Sequence, residues 1–467
     1  MNYLVVDLDE SLIKTDLLYE QAFSFLKKNP FNIFRMLLWL FTGGRLGLKN
    51  NMAAVIHPTV ENLPYRKEVL AYIDEQKRQH HTIVLASASP QVWVQRVANH
   101  LGIFDHAIGS KDFNLKGLSK YHHVKDTIGT GHFKYVGDSK SDLEIWSNCG
   151  SAITVNATPK VIKKLRDQSI LIKEISDKLP KSKLLLQQMR VHQWAKNTLL
   201  FLPLFAAHQL NLTSFLNVTI GFFSFGFAAS AVYILNDLID IDADRNHHSK
   251  KNRPLASGSI SIKDALLTLG GASILSLIFA LHVGISFLGV IFAYWCLNFL
   301  YSFYLKKEVI LDIILLSGMY TVRLFAGAAA TGILLSHWLL SFSTLFFFSL
   351  ACVKRFTELI RSKNKPSIDG RGYRNIDQTA VLNLGIGTGL LSILVFLLYL
   401  RSPDVGQLYT NQDRLWLLTP VLLYWLGRLW LLTCRDEVHD DPVVFAIKDK
   451  ISWICLAFIA FTIAIAM

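Results

Sequence analysis

The sequence predicts a two-part chain, a soluble α/β domain followed by an all-α membrane bundle of about nine helices. Three observations predict it. The 467 residues exceed one ordinary domain. The 51% hydrophobic content is unevenly placed: residues 1–180 read as soluble, whereas residues 198–467 carry apolar runs of membrane length. Short apolar runs ending in acids or hydroxyls recur only in the first part. The expected boundaries are 1–180 for the soluble domain, 181–195 for a basic linker or interfacial helix, and 196–467 for the membrane domain.

The net charge of +13 does not point to nucleic acid, because the basic residues gather in short loops between apolar segments. Five scattered cysteines, Cys149, Cys296, Cys352, Cys434 and Cys455, show no C-x-x-C spacing. They suggest neither a disulfide framework nor a zinc site. No signal peptide opens the chain, so the soluble domain is expected to stay in the cytoplasm.

Taken in order, the first element is a buried strand starting at Tyr3 and ending in Asp7 and Asp9, a D-x-D-x-S pattern completed by Ser11. A second strand, Thr82 to Ala86, ends at Ser87, Ser89 and Pro90. Lys120 follows in a polar segment. A third strand, Phe133 to Val136, ends in Gly137, Asp138, Ser139 and Asp142. Acids and hydroxyls at the carboxyl ends of successive strands are where an open parallel sheet binds ligands. These four pieces, in this order, resemble the haloacid dehalogenase-type (HAD) phosphatases, which implies a Rossmann-like α/β fold with a helical cap. By that resemblance Asp7 is the nucleophile and Asp9 the general acid–base. Ser87 and Lys120 hold the phosphate. Mg²⁺ is bound by Asp138 with Asp7 and the Asp9 carbonyl, and Asp142 supports it.

About seventy residues between the first two motifs leave room for the cap. Within it, the run from Phe31 through Phe34 and Trp39 to Phe41 is strongly apolar but too short to span. It either lies on the membrane surface and admits a lipid substrate or packs within the cap. Residues 151–189 then carry Lys160, Lys163, Lys164, Lys173, Lys178, Lys181 and Lys183. They read as a last strand plus a basic helix near an anionic leaflet, or as a solvated linker.

Nine spans are expected, at about 196–210, 213–235, 264–282, 284–305, 309–331, 335–353, 379–400, 414–433 and 451–466. With a cytoplasmic N-terminus, the loops after spans two, four, six and eight are cytoplasmic. They hold Arg245, Lys250, Lys251, Arg253 and Lys263, then Lys306 and Lys307. Next come Lys354, Arg355, Arg361, Lys363, Lys365, Arg371 and Arg374, and finally Arg435, Lys448 and Lys450. The opposite loops hold only Arg401 and Arg414. Seventeen against two fits a protein of the inner (plasma) membrane with its C-terminus outside.

The second expected span ends in Asn236, Asp237, Asp240 and Asp244. Carboxylates at i, i+3 and i+7 share a helix face, and acids at a membrane helix end need compensation. A divalent metal, Mg²⁺, supplies it and shares its shell with phosphate oxygens. The following His247, His248, Lys250, Lys251 and Arg253, then Pro254, Ser257 and Gly258, can clamp a diphosphate. N-D-x-x-D-x-x-x-D followed by R-P-x-x-S-G resembles the first aspartate-rich motif of the UbiA superfamily of intramembrane prenyltransferases, over residues 188–467.

A second site is expected from Asp312, Tyr320 and Arg323, spaced along roughly one helix face. Asp312 and Arg323 face each other or a polar cavity, or form a structural ion pair. Many members carry D-x-x-x-D here, and this chain has Leu316 at the second acid. Two further segments are similar to the decaprenyl-phosphate phosphoribosyltransferase-like branch: Arg190, His192, Gln193, Trp194, Lys196 and Asn197, and then Lys354, Arg355, Glu358 and Leu359. That branch implies phosphoribosyl diphosphate as donor and a polyprenyl phosphate in the lipid bilayer as acceptor. Lys196, Arg253, Arg323, Lys354 and Arg355 are the candidates to hold the phosphates. The plain alternatives are an interfacial anchor pair for Trp194 and Lys196, and positive-inside charge for Lys354 and Arg355.

The resemblances together imply a bifunctional Mg²⁺-dependent enzyme. The membrane part transfers 5-phosphoribose, and the soluble part hydrolyses a phosphate monoester, that of the lipid-linked product. Two other readings stay open: prenyl transfer from a prenyl diphosphate to an aromatic ring, and a non-catalytic scaffold or transporter.

Overall fold

The computed structural model describes residues 3–177, 179–248, 250–362, 371–439 and 441–467. Lys178, Lys363 and Lys365, counted above, lie outside the described residues. The chain forms two compact units, Met1–Met189 with Tyr233–Leu269, and Arg190–Val232 with Gly270–Met467. The segment around the aspartate motif therefore belongs with the soluble domain.

The soluble domain is built on six strands: β1 (Tyr3–Val6), β2 (Thr82–Pro90), β3 (His106–Ser110), β4 (Lys134–Gly137), β5 (Ala152–Val155) and β6 (Leu171–Ile175). All pairings are parallel and the order is β3-β2-β1-β4-β5-β6. Leu4, Val5 and Val6 are fully buried, as a central strand covered on both faces requires. Leu4 and Val6 join one apolar cluster and Val5 the other, following the strand period of two. β1 has β2 on one side and β4 on the other, so their carboxyl ends open the crevice of a topological switch point.

The cap helices α1 (Leu17–Lys28) and α2 (Asn32–Val55) lie between β1 and β2 in sequence. Gly44, at φ 58 and ψ −158, breaks α2. One stripe of α2 packs: Trp39 stacks on Phe25 at 5.6 Å, with Arg35 over both rings. Phe31, Phe34, Leu38 and Phe41 form a bare stripe, Phe41 being 84% exposed. The remaining helices of this part are α3 (Lys67–Arg78), α4 (Gln91–Leu101), α5 (Leu118–Ile128), α6 (Leu143–Cys149), α7 (Pro159–Asp167) and α8 (Lys181–Gln188).

The apolar half supplies α9 (Leu202–Ala206), α10 (Leu212–Ile239), α11 (Ile241–Asn246), α12 (Ile262–Val283), α13 (Ile285–Phe303) and α14 (Leu311–Thr331). After them come α15 (His337–Arg361), α16 (Gln378–Leu400), α17 (Pro403–Leu408), α18 (Leu418–Cys434), α19 (Pro442–Lys448) and α20 (Lys450–Ala466). Among the described residues seven helices are long and apolar enough to cross a membrane, or eight if α19 and α20, bent by 84°, are one span. The first of the nine expected spans is not among them. Residues 196–210 form no membrane-length α-helix: a 3₁₀ stretch, Val191–Phe201, runs into the five-residue α9. Pro203, in the first turn of α9, has no N–H to continue a helix from the preceding turns.

The end of α10, α11 and the start of α12 build an apolar cluster of Ile234, Leu238, Ile241, Leu255, Ile260 and Ile262. Leu184 of α8 joins it, and Tyr19 and Phe23 of α1 pack against it. This contact draws the aspartate segment into the soluble unit.

Candidate active sites

The first site lies in the sheet crevice. Asp7 follows β1, and its Oδ1 accepts from Lys120 Nζ at 2.9 Å and from the Leu8 amide at 2.9 Å. Lys120 also donates to the Tyr135 hydroxyl at 2.9 Å, which donates to Asp142 Oδ1 at 3.1 Å. Asp142 Oδ2 takes the Ser139 amide at 3.0 Å and hydroxyl at 2.9 Å, so this carboxylate is tied into the loop after β4. Oxygens of Asp7, Asp138 and Asp142 lie within 4.8 Å of one another. Three hard oxygen donors at that spacing suit Mg²⁺. Burial, less the attraction of Lys120 and with the repulsion of Asp142, pushes the Asp7 carboxyl up to about 7. Burial and Asp142 likewise push Asp138 well above the usual carboxylate range. That surplus of buried negative charge is what a divalent cation would cancel.

The Asp9 carboxylate sits apart from this triad. Its Oδ2 accepts from the hydroxyls of Ser87 at 3.0 Å and Ser89 at 2.7 Å, and its Oδ1 from the Leu17 amide at 2.9 Å. Of the expected metal residues, Asp7, Asp138 and Asp142 come together by their side chains, while Asp9 could contribute only its carbonyl.

The second site is the aspartate motif, in the same compact unit. Asp237 Oδ1 accepts from Arg253 Nη1 at 3.0 Å, and its Oδ2 from Gln188 Nε2 at 2.9 Å. The same Arg253 nitrogen reaches Asp244 Oδ2 at 2.5 Å. Lys27 of α1 lies 2.8 Å from Asp240 Oδ1. Asn236 is half-buried and Lys251 exposed. Arg245, expected only as loop charge, is buried: its Nη1 donates to Glu20 Oε2 at 3.1 Å, its Nη2 to Glu20 Oε1, and its Nε to the Ala256 carbonyl at 3.0 Å.

In the other unit two polar groups line α14, whose Asp312, Tyr320 and Arg323 are all buried. Asp312 does not face Arg323. It is held by Arg355 at 2.5 Å, Arg371 at 3.5 Å and the Tyr373 hydroxyl at 2.6 Å. Arg323 instead donates to Asn197 Oδ1 at 3.1 Å and lies over the Phe225 ring at 4.8 Å. Eleven helical residues put Asp312 and Arg323 about 16 Å apart along the axis, too far to pair. Asp441 gathers Lys196 at 2.7 Å, Tyr320 at 2.7 Å and Lys354 at 3.8 Å. Leu316 packs in an apolar cluster. Two of these cations are more enclosed than the plain alternatives expect, whereas Lys354 stays one-third exposed, 3.8 Å from Asp441. Arg355 is fully buried rather than a loop charge. Lys196 is buried, and Trp194 donates to Ser230 Oγ at 2.9 Å, packed where a Cβ on Gly226 would meet its ring at 2.6 Å.

Several members of these sites carried weak sequence signals. Ser89 belongs to the S-x-S-P run at the end of β2. Asp441, before Pro442, has the form of a helix N-cap and does accept from the Val443 amide at 3.2 Å. Lys27, Glu20 and Gln188 carry no local signal, because their partners lie far away in sequence.

A family model for haloacid dehalogenase-like hydrolases matches residues 4–146, and one for the UbiA prenyltransferase family matches residues 198–454. An uncharacterized protein of Sinorhizobium fredii is 37% identical, over 99% of this chain and 91% of its own. A decaprenyl-phosphate phosphoribosyltransferase of Mycolicibacterium smegmatis is 32% identical, over 57% of this chain and 87% of its own. A solved UbiA homologue from Archaeoglobus fulgidus, bound to GPP and Mg²⁺, is 15% identical, over 60% of this chain and 99% of its own, at a TM-score of 0.47. The UbiA match spans more than half of the chain and the HAD match takes in the crevice motifs of the first site. The chain belongs to the UbiA prenyltransferase family, as an integral membrane enzyme with a HAD-type hydrolase domain at its N-terminus.

Proposed function

We propose that the membrane part transfers 5-phosphoribose from phosphoribosyl diphosphate to a polyprenyl phosphate, and that the HAD domain removes the 5-phosphate of the lipid product. The observation that carries the donor assignment is the state of α14. Leu316 stands where a second acid would be, and Asp312 is held by two guanidinium groups and a phenol. That leaves one aspartate motif for a metal–diphosphate and a separate cationic group, Lys196 and Lys354, suited to a phosphate. The similarity to the M. smegmatis transferase supports the same donor.

Asp237, Asp240 and Asp244 would hold Mg²⁺, whose charge stabilises the departing diphosphate. An oxygen of the lipid phosphate attacks ribose C1 as the C1–O bond to diphosphate breaks. Arg253 would hold the donor phosphates, and Lys196 and Lys354 the acceptor phosphate, while Arg355 and Arg323 are taken up by Asp312 and Asn197. In the HAD crevice, the Asp7 carboxylate attacks phosphorus and forms an aspartyl phosphate. Lys120 holds a phosphate oxygen beside it. Asp9, oriented by Ser87, Ser89 and the Leu17 amide, protonates the leaving ribose oxygen and then takes a proton from the attacking water. The bare apolar stripe of α2 suits a lipid surface from which such a substrate would come.

Purified protein in detergent is given Mg²⁺, polyprenyl phosphate and labelled phosphoribosyl diphosphate. Labelled lipid is expected, and none with a chelator. No label from this donor, with prenyl transfer from a prenyl diphosphate to an aromatic acid in its place, would establish the aromatic reading instead.

The topology we propose keeps nine crossings, an inner-membrane location, a cytoplasmic HAD domain and an outer C-terminus. Residues 191–206 rise about 30 Å as a 3₁₀ stretch and a short helix, enough for the hydrocarbon core. Their contacts support a crossing. Asn197 meets Arg323, Leu200 lies against Gly327, and His208 packs edge-on against Tyr409 past the end of α16. Asn411 N donates to the Ala466 carbonyl at 3.0 Å, at that same end. A reporter fused after Met467 should be active only outside the cytoplasm, and one inserted after Ser362 only inside. Two cytoplasmic signals would remove the crossing by residues 191–206.

A further inference from the structure

We infer that Lys27, on helix α1 of the HAD domain, is a diphosphate-binding residue of the transferase, so that the soluble domain completes the membrane enzyme's donor site. The inference rests on the reading of the aspartate motif as a metal–diphosphate site.

Lys27 Nζ lies 2.8 Å from Asp240 Oδ1, with the two side chains 41% and 30% exposed. The pair is therefore reachable by a soluble anion. Helix α1 is fixed in this position by independent contacts. Glu20, one helical stretch earlier, forms the buried pair with Arg245. Tyr19 and Phe23 pack on the cluster made by the ends of α10 and α12. Next to α1, a Cβ on Gly258 would meet Lys14 Cβ at 2.5 Å, and Lys263 reaches Glu10 at 3.0 Å. A helix anchored along its first two turns presents its last-turn lysine on the side of the motif.

Charge gives Lys27 its role. Asp237 and Asp244 are bridged by Arg253, and Asp240 by Lys27. A divalent metal held by these carboxylates would leave Arg253 and Lys27 without their present partners and free to meet an anion beside it. The anions that arrive with Mg²⁺ are phosphate oxygens, and an ammonium is a compact point charge for them. Arg253 follows the motif in sequence, whereas Lys27 is more than two hundred residues away.

The test uses full-length protein in detergent and inorganic diphosphate, the leaving group common to phosphoribosyl and prenyl donors. An Asp138→Asn background silences the phosphatase metal site. Mg²⁺-dependent diphosphate binding is measured by titration calorimetry. Lys27→Ala should weaken it about tenfold, the loss of one charge-assisted contact. Lys27→Arg should restore most of the affinity, and Lys28→Ala, the exposed neighbour, should bind as the parent does. Asp240→Ala should show no Mg²⁺-dependent binding. Parent-like or tighter binding by Lys27→Ala, beside a dead Asp240→Ala, overturns the role of Lys27 and leaves the motif standing. Full binding by Asp240→Ala overturns the motif reading and this inference with it.

Discussion

Around Asp7, three carboxylates share one ammonium, that of Lys120, deep in a sheet crevice. Around Asp237, three carboxylates share the guanidinium of Arg253 and the ammonium of Lys27 at a helix end. In the crevice burial prevails over the attraction of Lys120, and the Asp7 carboxyl rises to about 7. A divalent ion entering there relieves a surplus of buried charge. At the aspartate motif the protein's own cations already balance most of the charge, so a metal must displace them. It gains most when an anion arrives to receive them. On the proposed function, the first centre would hold Mg²⁺ by itself and the second would hold it together with diphosphate.

The largest expected effect separates the centres. Asp237→Ala should lower transfer by about a thousandfold or more, by removing metal-assisted stabilisation of the leaving group. Hydrolysis of a small soluble phosphate ester should stay within about twofold. Transfer persisting in this variant would break the comparison at its root.

Next comes the contact between α1 and α11. Glu20→Ala leaves the Arg245 guanidinium with only the Asp242 carboxylate, 3.8 Å away, and should cost about 3 kcal/mol. Lys181→Ala removes an exposed partner of Asp264, the lysine side chain being 72% exposed, and should cost well under about 1 kcal/mol. Thermal unfolding of both variants checks the pair. Equal midpoints would mean that the α1 contact contributes nothing to holding the motif.

The smallest effect tests the charge argument itself. Mg²⁺ alone at about a hundred times its dissociation constant should raise the unfolding midpoint by a few degrees. The rise should vanish in Asp138→Asn and on chelation, and survive Asp240→Ala. A rise that depends on Asp240 would show that the motif binds metal without an anion.

The fold and the crevice were largely legible because their signals are local. Apolar runs ending in Asp7, Ser87 and Asp138 mark strand ends, and the switch point then brings those ends together. The aspartate motif reads as one helix face, but α10 ends at Ile239 and α11 starts at Ile241, so Asp240 sits at a break and the three acids do not share one continuous helix. Its cations were only partly legible: Arg253 follows within the same loop, but Lys27 and Glu20 meet Asp240 and Arg245 only through tertiary packing. The Asp312–Arg323 spacing misled, since a shared helix face does not imply reach along the axis. Residues 196–210 read as a span by composition, whereas the polar start around Lys196 and Asn197 and the later Pro203 favour a 3₁₀ path that no apolar average reveals.

The central claim is that two centres act in sequence on one lipid, and Asp7→Asn tests it most directly. Labelled phosphoribosyl diphosphate, polyprenyl phosphate and Mg²⁺ are supplied, and the lipid products are separated by charge. The wild type should give mainly dephosphorylated polyprenyl-phosphoryl-ribose. Asp7→Asn, lacking the nucleophile, should accumulate the 5-phosphorylated form at an undiminished rate of transfer. An unchanged ratio of the two lipids would contradict the claim and assign the HAD domain a different phosphate ester.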